Sequence, residues 1–127
     1  RSPALFEPTP VVEAMDWLGA HSDWRDVVLS AERTGSYLPA RIGHRVYLGH
    51  PMETLDYARK SERVERFFGA ETRDDARRDL LAECGCRFVF WGPYERALGT
   101  FRPSASSFLR QVYANQAVSI FSVVDAP

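Results

Sequence analysis

The 127-residue chain is poor in cysteine, nearly empty of lysine, and has no long apolar run. Its two cysteines, Cys84 and Cys86, are too few for a disulfide scaffold or for a structural zinc site with four ligands. Their C-x-C spacing differs from the C-x-x-C of redox helices. Both are read as structural, without metal, and a bond between residues so close in sequence is expected to be geometrically awkward. Lys60 is the only lysine; the rest of the basic charge is arginine. Lys+Arg 16 against Asp+Glu 17 leaves a net charge of −1, which supplies no basic excess for holding nucleic acid. No stretch approaches the roughly 18–20 uncharged apolar residues of a membrane span. Neither G-x-G-x-x-G nor G-x-x-x-x-G-K-[ST] occurs, so the dinucleotide and nucleotide-triphosphate fingerprints are missing and no cofactor is expected.

What is present is an ordinary globular balance, 45% hydrophobic and 26% charged. A chain of this length buries about 65–70% of its unfolded surface, enough for one core. Residues 1–10 carry three prolines and read as an extended lead-in or linker, with residues 11–127 as a single α/β domain. Thr9 is placed to cap a first helix with Pro10 at its first position and Val11, Met15 and Leu18 on its apolar face.

The run 26–31 is β-branched and bounded by charge, which predicts a buried strand, followed by a short helical piece from Ser36 to Arg41. A second strand is expected at 45–49. A helix follows over 53–68, with Gly69 as a left-handed cap and the pairs Asp56–Lys60 and Glu62–Arg66 along its surface. Thr72 is expected to cap a helix through Cys84 that buries Ala76, Leu80, Leu81 and Cys84. A third strand covers 87–91, with Phe88 and Phe90 on one face and Val89 and Trp91 on the other. The tail reads as a β-hairpin turning at Asn115.

Strands separated by helices imply parallel crossovers. The expected fold is a small Rossmann-like three-layer α/β domain with three parallel strands and a C-terminal antiparallel hairpin.

In such a sheet, ligands sit beyond the carboxyl ends of the strands. Those ends carry Glu32, Arg33, Thr34, Gly35 and Ser36 after the first strand, His50 and Glu53 after the second, and Tyr94, Glu95 and Arg96 after the third. They form the candidate ligand-binding crevice, and Arg33, Arg96 and the helix N-termini would favour an anion there, such as a lipid-linked sugar phosphate. A structural role accounts for the same residues and is favoured: Glu32 and Glu95 would pair with Arg33, Arg45 or Arg96 to fix the loops. His50 and Glu53 have a spacing that two metal ligands can use, but a third ligand would have to come from His44 or Glu32 in other loops, and no metal site is assigned. His21 and His44 are read as solvated.

The run Val28-Leu-Ser-Ala-Glu-Arg-Thr-Gly-Ser-Tyr-Leu-Pro-Ala-Arg-Ile-Gly-His-Arg-Val-Tyr-Leu-Gly-His50, then Glu53-Thr54-Leu55, resembles a segment at the C-terminal end of bacterial multi-pass membrane proteins similar to GT-C, protein-mannosyltransferase-like glycosyltransferases. Gly85-Cys86-Arg87-Phe-Val-Phe-Trp-Gly-Pro-Tyr-Glu-Arg-Ala-Leu98 and Val112-Tyr113-Ala-Asn115 follow the same pattern in the same order, with Cys86 departing where a β-branched residue is expected. The resemblance implies a soluble domain on the extracytoplasmic side of the cell membrane, following a bundle of membrane helices. Arg1 and the proline-rich lead-in would then lie just after the last span. The acidic residues of sugar transfer would lie in loops between those helices, so no catalytic residue is assigned here. The implied partners are the membrane-embedded part of the same parent chain and a lipid-linked sugar or glycan. The expected function is a non-catalytic accessory domain serving recognition or assembly. The alternative from the residues alone is a free-standing small α/β enzyme or ligand-binding domain using the crevice.

Overall fold

A computed structural model describes residues 7–124. In chain order these form α1 (Thr9–His21), β1 (Val27–Leu29), α2 (Glu32–Ile42), α3 (Tyr57–Phe68), α4 (Asp74–Cys84), β2 (Cys86–Trp91), the short α5 (Pro93–Arg96), a 3₁₀ turn at Pro103–Ala105, β3 (Leu109–Ala114) and β4 (Ser119–Val123). The first six residues of the expected lead-in lie outside the described part, and α1 already begins at Thr9, within that lead-in.

The sheet has four strands in the order β1-β2-β4-β3, in which β1 and β2 are parallel and the other two pairings antiparallel. This corrects the expectation of three parallel strands. The segment 45–49 contributes a single parallel bridge, Val46 beside Val28, closed by Val28 N–H to the Arg45 carbonyl at 3.1 Å and Tyr47 N–H to the Val28 carbonyl at 3.0 Å. The ladder goes no further because the next residue, Leu48, turns its carbonyl against Gly35 of α2.

The sheet is the middle of three layers. Val28, Phe90 and Ile120 face a core with Val11, Met15 and Leu18 of α1 and Leu38 of α2. Their strand neighbours Leu29, Val89 and Phe121 face a second core with Phe67 and Phe68 of α3 and Leu80 and Leu81 of α4. Period-2 alternation in each strand thus sends adjacent side chains to opposite layers, and every one of these strands is apolar on both faces. Phe88 and Trp91 join the two sides as read from the sequence.

Several local expectations are corrected. The helix after β1 starts at Glu32, not Ser36. Gly69 is extended (φ −78°, ψ 155°); the left-handed caps are Gly43 and Gly85. Thr72 donates its hydroxyl back to the Arg66 carbonyl, and Arg73 takes the N-cap position of α4. Glu62–Arg66 pairs as expected at 3.5 Å, whereas Asp56 lies 4.0 Å from Arg59. On α4 it is Arg77 that is buried, and Ala76 is exposed. Arg77 closes the end of α3: its Nε donates to the Phe67 carbonyl at 2.7 Å, its Nη2 to the Gly69 carbonyl, and its guanidinium lies 3.7 Å over the Phe101 ring. A cation there also meets the negative end of the α3 dipole.

The two cysteines are joined. Cys84 and Cys86, with Cα atoms 5.3 Å apart, form a disulfide across Gly85. The left-handed Gly85 (φ 64°) reverses the chain between α4 and β2, which brings the two residues within the ordinary disulfide range despite their proximity in sequence. The hairpin turns where expected: the Asn115 side-chain carbonyl accepts from Ala117 N–H and Val118 N–H, both at 2.9 Å.

Candidate functional site

The carboxyl ends of β1 and β2 and the chain beyond Val46 do meet at one edge of the sheet, but the groups brought together there are largely the protein's own. Glu95 is fully buried. Its Oε2 accepts from the Ala31 N–H at 2.8 Å and the Thr34 hydroxyl at 2.7 Å, so it occupies the N-terminus of α2, where an anionic ligand would otherwise be received. Its Oε1 accepts from the Gly92 N–H at 2.8 Å, closing the start of α5. Burial pushes the Glu95 carboxyl above its usual range, opposed by the donors from Thr34, Ala31 and Gly92. Among the described residues Glu95 pairs with no arginine, contrary to expectation; backbone N–H groups and a hydroxyl do that work.

Glu32 likewise pairs with none of the described arginines named for it: its carboxylate accepts from the Tyr57 hydroxyl at the start of α3. Gly35 is required by close approach, since a Cβ there would lie 1.8 Å from the Leu48 carbonyl oxygen. Ser36 donates its hydroxyl to the Glu32 carbonyl at 2.9 Å, within α2.

A second carboxylate fills the outer part of the crevice. Glu7, ahead of α1, accepts from the Tyr94 hydroxyl at 2.7 Å through Oε1, and from Arg33 Nε and Nη2 at 3.3 and 3.2 Å through Oε2. The Arg33 guanidinium also stands 5.0 Å from the Tyr94 ring and 5.5 Å from the Tyr37 ring.

The remaining candidates lie on the rim. His50 and Glu53 are exposed. His50 accepts from the Met52 N–H at 3.0 Å through Nδ1, and its carbonyl accepts from Thr54, which fixes the loop. Arg96 is exposed and lies 5.3 Å above the Trp91 ring. No group of three or more His, Cys, Asp or Glu side chains is placed to hold a metal among the described residues. At the far edge, His44 is buried and not solvated as expected, with its Nε2 2.7 Å from the Ser22 hydroxyl.

Sequence reasoning brought together Glu32, Arg33, Thr34, Gly35, Tyr94 and Glu95 and missed Glu7 and Tyr57. The Gly92-Pro-Tyr-Glu95 spacing, with proline first and glutamate third in a helix, is the signal that could have shown Glu95 turning back on its own helix start. Nothing in the sequence around Glu7 announces its partners, which lie 26 and 87 residues away.

The architecture is therefore a three-layer mixed α/β domain whose strand-end crevice is closed by two internal carboxylates. No family model matches the sequence, and no curated protein matches it. Among solved structures, the fold is similar to the C-terminal globular domain of an oligosaccharyltransferase, AfAglB-S2, from Archaeoglobus fulgidus. The TM-score is 0.67 over 92% of this chain and 98% of that domain, at 11% sequence identity. At that identity the likeness is one of fold.

Proposed function

We propose that this chain is an accessory domain of a multi-pass membrane protein of the glycosyltransferase kind, facing the extracytoplasmic side and serving recognition or assembly. The observation that carries the reading is the end-to-end fold likeness to the C-terminal globular domain of an oligosaccharyltransferase. It coincides with the sequence resemblance to C-terminal segments of GT-C-like membrane proteins. The Cys84–Cys86 disulfide supports the outward side, since such bonds persist in oxidising compartments and are rare in the cytosol. The accessory role is supported by the crevice, whose best-placed acids, Glu32 and Glu95, are engaged by Tyr57, Thr34 and backbone N–H groups. A lipid-linked sugar or glycan, if taken up, would meet the exposed rim of Arg33, His50, Glu53 and Arg96.

The test is the parent reading frame together with topology mapping of its product. Several hydrophobic spans upstream of Arg1, and access of an impermeant label to this domain from outside the cell, are expected. A start codon near Arg1 with no spans in the frame would sink the reading.

A further inference from the structure

The crevice contains a receptor and its occupant on different parts of the chain. Arg33 and Tyr37 sit one turn apart on α2, and Tyr94 sits on α5, the turn that follows β2. The elements that carry them are fixed by contacts other than those to Glu7. Tyr37 is buried on the core face of α2, and Tyr94 precedes Glu95, whose carboxylate ties α5 to the start of α2. The guanidinium of Arg33 is flanked by both tyrosine rings, which limits the rotamers that an exposed arginine would otherwise sample. The result is a preformed set of donors: a phenol on one side, and the Nε and Nη2 edge of a guanidinium on the other.

That set matches a planar carboxylate. Oε1 of Glu7 takes the phenol and Oε2 takes both guanidinium nitrogens, so each oxygen has a separate donor. The Glu7 side chain is 0% exposed, while that of Arg33 remains 53% exposed, so solvent still reaches the receptor when the occupant is in place.

We propose that Arg33, Tyr37 and Tyr94 form a carboxylate-binding site that Glu7 occupies in cis, and that an acidic group of another molecule takes the same position when the Glu7 side chain leaves it. The class of ligand is a carboxylate, as on an acidic peptide or an acidic sugar. Because Glu7 competes at an effective concentration of roughly millimolar, a ligand with one carboxylate and no further contact binds weakly to the native chain. Arg96, exposed on the rim two residues after Tyr94, is placed to supply those further contacts.

The experiment is chemical rescue. In Glu7→Ala the occupant is removed and the donors remain. The thermal midpoint and the Arg33 Nε–H resonance are followed as sodium acetate is added, with sodium chloride at equal ionic strength as reference. Acetate is expected to raise the midpoint by a few degrees and to shift the Arg33 resonance saturably. The native chain and the double variant Glu7→Ala/Arg33→Met should respond no more to acetate than to chloride. Inorganic phosphate is the second probe and should act more weakly than acetate. Should Glu7→Ala fail to fold, Glu7→Ser, whose short side chain also leaves the donors open, gives the same reading. No acetate response in either variant would overturn the proposal, as would an equal response in the double variant; a phosphate response as large as that to acetate would overturn the carboxylate assignment. None of these readouts involves a membrane-embedded part, so their failure leaves the accessory-domain reading standing.

Discussion

The hydroxyl of Thr34 donates to the buried carboxylate of Glu95 at 2.7 Å, across 61 residues of chain. That one contact fastens the first turn of α2 to the turn after β2, and so joins the two loops that flank the parallel strand pair. Glu95→Gln should cost about 1–3 kcal/mol, because an amide must point its NH₂ at one of the N–H groups of Ala31 or Gly92 and leave a buried donor unpaired. Thr34→Val should cost less, about 1 kcal/mol. Urea unfolding of both variants gives the order, and a reversed order would show that Glu95 is not the centre of this junction.

The same carboxyl sets a pH dependence. Burial raises the Glu95 pKa in the folded chain above the value of 4.5 expected when it is free. Its contribution to stability is therefore complete below that value and is lost as pH rises through the raised one. His44 acts in the opposite direction: burial lowers its pKa from 6.5, with Asp26 and Asp23 opposing. Its contribution is present above 6.5 and lost as pH falls toward the lowered value, because the unfolded chain takes up the proton first. In urea midpoints, His44→Gln should flatten the decline just below pH 6.5, and Glu95→Gln should flatten the loss above pH 4.5. A native profile that both variants reproduce would refute the assignment.

Arg77 bridges α4 and the end of α3 through the carbonyls of Phe67 and Gly69 and a 3.0 Å bond to Asp74. Arg77→Met keeps much of the apolar stem over Phe101 but orphans the carbonyls, and should cost about 2–4 kcal/mol. Arg66→Met, removing an exposed surface ion pair, should cost under about 1 kcal/mol. Thermal melts of the two, side by side, check the contrast.

Two glycines separate close approach from backbone strain. Gly35→Ala forces a methyl into the Leu48 carbonyl and should cost about 3 kcal/mol, through overpacking against backbone that cannot yield. Gly43→Ala meets nothing within 4 Å but must hold a φ of +72°, for about 1 kcal/mol. Equal losses would mean that α2 can slide away from the 48–49 segment.

The three layers were legible from patterning alone, because α1, α3 and α4 have apolar residues at helical spacing and β2 is apolar on both faces. The third parallel strand was not. Residues 45–49 have a strand-like composition, but Gly35 draws Leu48 out of the ladder, and such a contact between distant glycine and carbonyl leaves no local trace. The disulfide is not legible from spacing alone, which does not carry the left-handed turn that Gly85 makes. At the crevice, the residues are legible and their partners are not: composition points Glu95 at an arginine, whereas backbone N–H groups, invisible to composition, satisfy it. Arg77 was overlooked because a charged residue between apolar ones reads as surface until the carbonyls it closes are in view.

The order of strands has a consequence for synthesis. β4 is the last described strand made, yet it lies inside the sheet, with β2 on one side and β3 on the other. Phe121 and Ile120, one for each core, arrive with it. While the ribosome is still adding these residues, at about 5–20 per second, β2 has an open edge and both apolar layers are incomplete. The domain can close only after translation has passed Val123, so a truncation within the hairpin leaves an exposed strand edge and two half-built cores for a chaperone or a protease to find.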